Sequence, residues 1–473
     1  MTQMYVAGEW RGAATEEEVR SPFDGEVVGT VPVAGAEDAA AAIAAAVDGA
    51  QAMRQLTAYE RTEIVRRAAD LVEADVDDLG RTIALEVGKP WGEAIGEARR
   101  IPDLLRVSAA EGARMHGETV PVDASANGAG KLGVTLRQPC GVVVAITPFN
   151  YPALLTAHKV GPALATGNAV VLKPARQTPL TGLWLTRKLL EAGLPENAIQ
   201  CLTGPGSQLG LALCSDPRVR KISFTGSTTV GEEITRVAGV KKLSLELGSN
   251  CPMIVLPDAD LDQVAAATVT GGYVNAGQVC ISVQRVLVAR DVYDDYLERV
   301  TPLVEGIRTG HPLAEGTTMG PVISEGEARR VEAAIREAVE AGARLVTGGE
   351  RDGAVVAPSV LADVDPALDI SRSELFGPAV AVTPVSGIEE AIAFANDSSY
   401  GLGAGLFTRD LNAALRFARD VDCGTIQINS SPLWRADLMP YGGLKGSGIG
   451  KEGSRAAVEE MTELKTVVFH GVG

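Results

Sequence analysis

Val142-Val143-Val144-Ala145-Ile146 is the stretch that decides the fold, and it runs directly into Thr147-Pro148-Phe149-Asn150. A short, wholly apolar run of this kind predicts a strand that is buried on both faces of a parallel sheet. Further runs that predict strands follow at residues 169–172, 199–202, 221–224 and 243–247. Helical patterns accompany them near residues 151–165, 180–192, 208–214 and 228–237. The alternation predicts an α/β fold with a ligand crevice at the carboxyl ends of the strands.

The segments on either side of this region predict further elements. Upstream, residues 37–115 have a helical pattern, in which apolar positions from Ile64 to Ile83 predict one helix face. Downstream, residues 250–430 predict a second α/β series. Residues 118–137 predict a long hairpin with too little apolar surface for a core of its own, which indicates an arm that pairs with another subunit.

Charge and composition argue against several classes of partner. The 473-residue chain has a net charge of −17 and no block of Lys and Arg, so we expect neither a nucleic acid nor an anionic membrane as partner. Its six cysteines form no CxxC and its four histidines no HxxxH, so we expect neither disulfides nor a metal site. The sequence has no basic and apolar leader pattern and no apolar run near the ~20 residues of a membrane span. These features favour a soluble, cytoplasmic protein.

A thiol and a carboxylate are the strongest candidates for chemistry. Cys280 has mostly small or polar neighbours in Gly277-Gln278-Val279-Cys280-Ile281-Ser282, whereas the other five cysteines lie in or beside apolar segments and are interpreted as structural. A loop there would expose the thiol, and nearby donors would favour its reactive thiolate. Glu246 ends a predicted inner strand, where burial would raise its pKa toward the range of a general base; the alternative is a surface charge at the strand terminus.

Several groups at the predicted strand ends are candidates to hold a dinucleotide. The segment Gly204-Pro205-Gly206-Ser207-Gln208-Leu209-Gly210 follows a strand and opens a helix, although it is one residue longer than the usual fingerprint and equally consistent with a tight turn. Gly226 would admit a pyrophosphate to the backbone, while Ser227 can cap the next helix. Lys173 suits ribose hydroxyls or phosphates, or is a solvated loop charge. Asn150 is a candidate oxyanion donor, or else a helix cap or turn residue.

Seven segments resemble, in this order, motifs of the aldehyde dehydrogenase superfamily, and they span nearly the whole chain. They are Thr147-Pro148-Phe149-Asn150-Tyr151-Pro152, Leu172-Lys173-Pro174-Ala175, Phe224-Thr225-Gly226-Ser227, Leu245-Glu246-Leu247-Gly248, Gly277-Gln278-Val279-Cys280, Glu374-Leu375-Phe376-Gly377-Pro378 and Pro440-Tyr441-Gly442-Gly443-Leu444-Lys445-Gly446-Ser447-Gly448. The 34 residues between Glu246 and Cys280 are also the usual spacing in that superfamily. The segments 279–282 and 435–440 resemble its branch that contains lactaldehyde dehydrogenases and enzymes for small polar or anionic aldehydes.

The resemblance implies NAD(P)-dependent, non-acylating oxidation of an aldehyde to its carboxylic acid. Cys280 would attack the aldehyde to form a thiohemiacetal, and its own N–H and the Asn150 amide would form the oxyanion hole. Hydride transfer would leave a thioester, and Glu246 would activate the water that hydrolyses it. Lys159 and Glu452 match positions linked to proton relay.

The resemblance also implies which residues bind cofactor and substrate. Lys173 and Glu374 would hold ribose hydroxyls and Ser227 a phosphate, and Phe376 would pack near the nicotinamide ribose. The other expected cofactor-binding residues are Ile146, Thr147, Pro148, Ala175, Arg176, Gly206, Phe224, Gly226, Leu247 and Gly248. The expected substrate-binding residues are Asn150, Tyr151, Val279, Ile281, Ser282 and Arg435, and His158 is added to them because it lies near the Asn150 loop.

In fold terms, the resemblance implies three parts. A Rossmann-like dinucleotide-binding domain would comprise residues 1–117 and 139–246, and an α/β catalytic domain would comprise residues 247–440. A small β-hairpin oligomerisation arm would comprise residues 118–138 and 458–473. The arm would build a homodimer or a homotetramer.

Arg176 bears on the choice between NAD and NADP. Many NAD-preferring members of the superfamily have a Glu at this place, where it chelates the adenosine ribose. A carboxylate would repel a 2′-phosphate, whereas a guanidinium can pair with it, so we expect NADP or dual use.

Arg435 bears on the substrate, because the superfamily forms its substrate mouth from this loop. It would bind a carboxylate, phosphonate, sulfonate or phosphate of the substrate, or it forms a structural ion pair with Asp437 or another loop carboxylate. Three other interpretations stay open, one of which is a catalytically silent binding or scaffold protein, although such a protein would be expected to lose Cys280 or Glu246. A CoA-acylating semialdehyde dehydrogenase normally lacks the base at Glu246, and a non-redox thiol hydrolase leaves the cofactor region unexplained.

Overall fold

The computed structural model describes residues 2–471, and most of its strands belong to two large sheets. Residues 1, 472 and 473, which the predicted domain ranges included, lie outside the described residues. The α-helices are Ala36–Gln55, Ala58–Ala74, Val76–Val87, Trp91–Ala113, Pro152–Ala165, Pro179–Glu191, Gly206–Ser215, Thr228–Ala238, Leu261–Tyr273, Tyr293–Glu305, Glu325–Glu340, Asp369–Arg372, Ile388–Asn396, Leu411–Asp420 and Ser454–Glu460. No helix within residues 2–471 is long and apolar enough to cross a membrane.

The first sheet has eight strands, and the five strands predicted between residues 142 and 247 form its centre. In spatial order they are Glu9–Arg11, Met4–Val6, Ile199–Cys201, Ala169–Lys173, Val142–Ile146, Val219–Thr225, Lys242–Glu246 and Gly448–Ile449. The central five pair in parallel, as predicted, and the strands at the two edges pair antiparallel. Every residue of Val142–Ile146 is buried, because helices cover both faces of a parallel sheet.

The second sheet has seven strands and confirms the predicted second α/β series. In spatial order they are Arg344–Thr347, Ser359–Ala362, Ala379–Val385, Arg285–Ala289, Pro252–Val255, Gly403–Phe407 and Thr425–Ile428. Among the described residues of this sheet, the edge strand Arg344–Thr347 pairs antiparallel with its neighbour, and all other neighbouring strands pair in parallel. Two further strand pairs are small: Glu16–Arg20 with Val27–Pro32, and Arg351–Asp352 with Val355–Val356.

The arm is a three-stranded sheet, so the prediction of a long hairpin was wrong in its first strand. That strand, Thr119–Val120, has two residues, because the chain turns through short 3-10 helices at Val122–Ala124 and Ala126–Gly128 directly after it. The tail strand Thr462–His470 instead pairs with all nine residues of Lys131–Pro139. The C-terminal strand therefore supplies most of the hydrogen bonds of the arm.

The apolar face from Ile64 to Ile83 belongs to two helices, so the prediction of one face on one helix was also wrong. The helices Ala58–Ala74 and Val76–Val87 are separated at Asp75, whose backbone leaves the helical conformation (φ −114°, ψ 27°). Both pack against helix Trp91–Ala113. A break of one residue hardly disturbs the spacing of apolar positions, so the sequence pattern continues across it.

Candidate active site

The register of the first sheet places four predicted site residues at one edge. Ile146 pairs with Lys173 on one side and with Phe224 on the other, and Thr225 pairs with Glu246. The carboxyl ends of these parallel strands therefore meet, and the loops that follow them border one crevice.

The loop that presents Cys280 is held in an unusual backbone conformation. Asn275, Ala276 and Gly277 all have left-handed φ angles, of 51°, 53° and 71°. A Cβ on Gly277 would lie 2.1 Å from the carbonyl oxygen of Gly377, so this position requires glycine. Two successive non-glycine residues in this region indicate strain that the surrounding structure holds in place.

Asn150 is bound directly to the Cys280 loop. Its Nδ2 donates a hydrogen bond to the Gln278 carbonyl oxygen at 2.8 Å. Asn275 Nδ2 lies 3.3 Å from the same oxygen and from the Asn150 carbonyl oxygen. Because an amide nitrogen has two N–H groups, one donor of Asn150 remains for a developing oxyanion.

A buried ion pair fixes the start of the helix that follows Asn150. Glu97 Oε1 accepts from the backbone N–H groups of Ala153 and Leu154, at 2.9 and 3.0 Å, at the N-terminus of helix Pro152–Ala165. Glu97 Oε2 lies 2.5 Å from Lys89 Nζ, and both side chains are almost fully buried. A carboxylate at this end satisfies N–H groups that have no partner within the helix and interacts favourably with its dipole.

The thiol of Cys280 is partly buried and lies next to a phenol. Its Sγ is 2.9 Å from the Tyr441 hydroxyl. Burial raises the pKa of Cys280 to about 12, although the bond to Tyr441 and the charge of Arg435 act in the opposite direction. The resting side chain is therefore a neutral thiol at physiological pH, and its attack on a carbonyl requires a proton acceptor.

Glu246 is buried rather than on the surface, which removes the alternative of a solvated strand-end charge. It is 3% exposed, and neither carboxylate oxygen has a hydrogen-bond partner among the described residues. Burial raises the pKa of Glu246 well above its usual value, and the negative charge of Glu452 raises it further. Arg435, Lys159 and Lys451 lower it. A carboxylate in this setting has the raised basicity that a general base needs.

Glu452 lies between two buried cations. Its Oε1 is 2.7 Å from Lys159 Nζ, and its Oε2 is 3.2 Å from Arg435 Nη2. Burial alone would raise the pKa of Glu452, but Lys159 and Arg435 hold it below its usual value. Lys159 Nζ also lies 3.3 Å from Ser223 Oγ. The predicted relay residues Lys159 and Glu452 are thus in contact. The negative charge of Glu452 also raises the pKa of Glu246.

A cavity of about 570 Å³ opens beside Cys280. Its lining residues are Arg100, Asn150, Tyr151, Leu154, Leu155, Gln263, Ala266, Ala267, Thr270, Val279, Cys280, Ile281, Phe407, Asn429, Ser430, Ser431, Leu433, Trp434, Arg435 and Tyr441. The charged side chains in this described lining, Arg100 and Arg435, are both cationic. The cavity is therefore apolar over most of its wall and positive at two points.

The two arginines have separate carboxylate partners. Arg435 pairs with Glu452, and Arg435 Nε is buried with no hydrogen-bond partner among the described residues. Asp437, named above as a candidate partner for Arg435, instead binds Arg100 through two bonds of 2.5 and 3.2 Å. Arg435 is therefore a residue of the cavity lining that is ion-paired with Glu452 and keeps one buried donor, Nε, without a partner among the described residues.

Two predicted substrate-binding residues do not line this cavity, unlike Asn150, Tyr151, Val279, Ile281 and Arg435. His158 is buried behind the wall, with Nε2 3.3 Å from Asp437 Oδ1, and burial lowers its pKa to about 4. Ser282 is buried and donates to the Gly271 carbonyl oxygen at 3.1 Å. Both side chains point into packed protein because the elements that carry them are covered on that side.

Sequence reasoning missed several polar or aromatic residues of the cavity, among them Arg100, Trp434 and Tyr441. Arg100 lies in the long helix Trp91–Ala113, where a cation in a charged stretch gives no local signal of a binding site. Tyr441 lies within the quoted motif 440–448, and Trp434 lies next to Arg435, so their positions offered a signal that was not used.

The predicted cofactor residues at the strand ends form a second group. Lys173 is buried, its Nζ donates to the Pro174 carbonyl oxygen at 2.9 Å, and burial lowers its pKa to about 8. Gly206 begins the helix Gly206–Ser215 beside it, since a Cβ there would lie 3.7 Å from Lys173 Nζ. Ser227 accepts from Val230 N–H at 3.4 Å, which confirms the predicted helix cap. A buried cation beside a helix N-terminus fits ribose hydroxyls and phosphates.

Glu374 and Phe376 lie across the crevice from this group. Glu374 accepts from Ser249 N–H at 2.9 Å, and burial raises its pKa to about 7. A Cβ on Gly248 would lie 2.9 Å from Glu374 Oε2, so the glycine lets the carboxylate approach the strand end. Phe376, with a left-handed φ of 50°, packs edge-on against Phe149 with ring centroids 5.9 Å apart.

The remaining predicted cofactor residues contribute in different ways. Ile146, Phe224 and Leu247 place their side chains in the apolar core under the crevice. The ring of Phe224 would collide with a Cβ on Gly226, at 2.5 Å. Thr147 N–H donates to the Lys173 carbonyl oxygen, and Pro148 and Ala175 follow in the same two loops. Arg176 donates through Nε to Glu17. Within residues 2–471, no three His, Cys, Asp or Glu side chains form a metal-binding group.

The model of the aldehyde dehydrogenase family matches residues 10–467 of the chain. The chain belongs to this family. The 3-sulfolactaldehyde dehydrogenase of Priestia megaterium is 44% identical over 467 residues, which cover 99% of this chain and 98% of that protein. The lactaldehyde dehydrogenase of Methanococcus aeolicus is 37% identical over 471 residues, which cover 99% and 100%. The crystal structure of the NADP-dependent glyceraldehyde-3-phosphate dehydrogenase from Bacillus halodurans C-125 complexed with NADP is 37% identical, with a TM-score of 0.97 over 99% of each chain. The protein is an NAD(P)-dependent aldehyde dehydrogenase of the non-acylating kind.

Proposed function

We propose that this aldehyde dehydrogenase oxidises a small anionic aldehyde to its carboxylic acid, with Cys280 as nucleophile and Glu246 as base. The observation that supports the substrate class is the cavity beside Cys280, whose charged lining residues are Arg100 and Arg435. A guanidinium binds carboxylate, sulfonate and phosphate groups through charge-assisted hydrogen bonds. Relatives that are named for lactaldehyde and 3-sulfolactaldehyde are consistent with a small polar substrate.

Acylation begins when Cys280 Sγ attacks the aldehyde carbon. The thiol proton leaves for the carboxylate of Glu246, whose charge already raises the pKa of Cys280. The carbonyl oxygen becomes an oxyanion. The second Asn150 N–H and the Cys280 N–H would donate hydrogen bonds to it. A nicotinamide cofactor held at the strand ends would supply the hydride acceptor, and loss of the hydride from the carbon would leave an acylated Cys280.

Deacylation requires water at the same carbon. Glu246 accepts a proton from this water, because burial and Glu452 raise its pKa. Lys159 and Glu452, 2.7 Å apart, give the proton a route away from Glu246. The Cys280 thiolate then leaves, and the acid is released.

NADP, or both cofactors, is the proposed oxidant. Lys173 and Glu374 would hold ribose hydroxyls, Ser227 with its helix N-terminus a phosphate, and Arg176 the adenosine 2′-phosphate. The bond between Arg176 and Glu17 uses Nε, which leaves the terminal guanidinium nitrogens for the phosphate, but the Glu17 charge opposes its binding. The ratio of kcat/KM with NADP to kcat/KM with NAD tests this. A strong NAD preference that Arg176→Glu leaves unchanged would refute it.

The proposed chemistry is tested by NAD(P)H formation at 340 nm across lactaldehyde, succinic semialdehyde, phosphono- and sulfo-aldehydes and neutral alkanals, with and without CoA. Wild type is compared with Cys280→Ala. We expect a preference for the anionic substrates, no requirement for CoA and no activity in the variant. A requirement for CoA would favour an acylating enzyme, and thiol-dependent hydrolysis without NAD(P)H would favour a hydrolase.

A homodimer or homotetramer that is built through the arm is also proposed. A cytoplasmic location is proposed as well, because its reducing conditions keep Cys280 a thiol. The arm exposes large apolar side chains on its strands, including Leu132, Leu136, Leu464 and Phe469. Isolated exposed apolar residues are common, but the strand register places Leu132, Leu136 and Phe469 on one face of the arm, which supports a contact surface. Light scattering of the wild type and of a variant with Leu132→Glu and Leu136→Glu tests the assembly, and equal masses would refute the arm contact.

A further inference from the structure

Tyr441 makes a contact with the proposed nucleophile that its place in the sequence does not explain. Its hydroxyl is 2.9 Å from Cys280 Sγ, and the residue is 2% exposed. Two backbone hydrogen bonds with Glu452, of 3.0 and 2.7 Å, hold it in place. The guanidinium carbon of Arg435 lies 3.8 Å from the centre of its ring. The hydroxyl is therefore positioned from both sides at the sulfur.

The chemistry of the Tyr441 phenol and the Cys280 thiol decides which of them donates the hydrogen bond. Burial, together with the charge of the adjacent Cys280, raises the pKa of Tyr441 well above its usual value, so the phenol keeps its proton throughout the pH range of activity. A neutral thiol can donate or accept, but a thiolate can only accept. Ionisation of Cys280 thus fixes Tyr441 as the donor and turns the contact into a charge-assisted hydrogen bond. The cation over the ring strengthens this donor, because Arg435 lowers the pKa of Tyr441.

We propose that Tyr441 is a catalytic residue of this enzyme, whose hydroxyl stabilises the Cys280 thiolate by donating a hydrogen bond to it. The proposal rests on the proposed role of Cys280 as nucleophile. The thiol proton goes to Glu246, Tyr441 keeps its own proton, and the sulfur lone pair forms the bond to the aldehyde carbon while the carbonyl π pair moves to oxygen. In deacylation the same hydroxyl receives the departing thiolate.

The proposal predicts that the hydrogen bond from Tyr441 is stronger to the Cys280 thiolate than to the acylated sulfur. The acylated sulfur carries no charge and accepts hydrogen bonds weakly, so the contact is strong before attack and after hydrolysis and weak between them. A group that stabilises the attacking and the leaving thiolate acts in both half-reactions. An apolar ring at this position would fill the same space without that effect.

The test uses Tyr441→Phe, which keeps the ring and its stacking with Arg435 but removes the hydroxyl. The rate of Cys280 alkylation by iodoacetamide is measured against pH in the whole enzyme without cofactor. We expect labelling of the variant to be about tenfold slower than that of the wild type at every pH below the thiol pKa, which corresponds to a rise of about one unit in the apparent thiol pKa. The kcat/KM for the aldehyde should also fall about tenfold at neutral pH. Tyr296→Phe is the matched control, because Tyr296 is another buried tyrosine, whose hydroxyl contacts Thr268 in a different core.

The possible outcomes separate the two proposals. An alkylation profile in Tyr441→Phe that matches the wild type and the control would refute the catalytic role, even if the activity fell. A variant with lower thermal stability and an unmoved thiol pKa would make Tyr441 structural. Cys280→Ala is measured beside them. If that variant still oxidised the aldehyde, the proposed nucleophile would be wrong, whereas a silent variant with an unshifted Tyr441→Phe profile would overturn only the role of Tyr441.

Discussion

Replacing Arg435 by Met should greatly reduce the preference for anionic aldehydes, although Arg100 still lines the cavity. The side chain is 8% exposed, lines the cavity and has a buried Nε with no hydrogen-bond partner among the described residues. Methionine fills similar space without the charge. Glu452 loses one of its two cationic partners but keeps Lys159 at 2.7 Å, so its carboxylate is not left alone.

The magnitude follows from the bond that the substrate would lose. A hydrogen bond to a charged group contributes about 1.5–3 kcal/mol, which corresponds to a factor of roughly 10 to 150 in kcat/KM. A neutral aldehyde makes no such bond. Arg435→Met also removes the cation stacked on Tyr441, and this affects both kinds of substrate equally. The selectivity ratio, rather than either rate alone, therefore isolates the contribution of the anion.

The assay is NAD(P)H formation at 340 nm with succinic semialdehyde and with butanal, which have the same chain length but differ in charge. Arg435→Lys is the matched control, since it keeps a cation and should retain part of the preference. If Arg435→Met lowered kcat/KM for both aldehydes by the same factor, Arg435 would be a structural ion-pair partner of Glu452 and the anion-site reasoning would fail.

Three further predictions concern carboxylates around the site. Glu246→Gln should lower steady-state turnover by about 10²–10⁴-fold, the usual contribution of a general base, and turnover within threefold of wild type would contradict its role. Glu452→Gln removes a negative charge that raises the pKa of Glu246, so the pKa of Glu246 should fall. The acidic limb of the pH–kcat profile should then move to lower pH, and a move to higher pH would contradict this coupling. Glu17→Gln should raise the NADP-to-NAD ratio of kcat/KM, because a carboxylate beside Arg176 no longer repels the 2′-phosphate. A lower ratio would show instead that Glu17 helps to hold Arg176 in place.

Much of the fold could be predicted because its signals are local. The five central strands of the first sheet are short apolar runs between helical patterns, and burial on both faces requires that composition. The errors arose where local signals were ambiguous. Apolar spacing continues across Asp75 although the helix ends there, and the alternation in 118–123 does not show that a strand stops at Val120.

The candidate site was predicted in its chemistry more than in its contacts. Cys280 and Glu246 were identified because a thiol in a polar loop and a carboxylate at an apolar strand end are unusual in sequence. Tyr441 lies in a quoted motif, but its contact with Cys280 could not be predicted, since 161 residues separate it from the sulfur that it touches. His158 was placed in the cavity from its proximity to Asn150 in sequence, but its helix turns it toward Asp437.

The sequence by itself determined the α/β architecture, the family and the candidate reactive groups, because these depend on hydrophobic patterning and on residue types within short segments. Only the tertiary structure decided the partners: Arg435 with Glu452 rather than Asp437, Asp437 with Arg100 across 337 residues, and Tyr441 with Cys280. The physical reason is that ion pairs and hydrogen bonds depend on distances of about 3 Å, and packing sets those distances between segments that are remote along the chain.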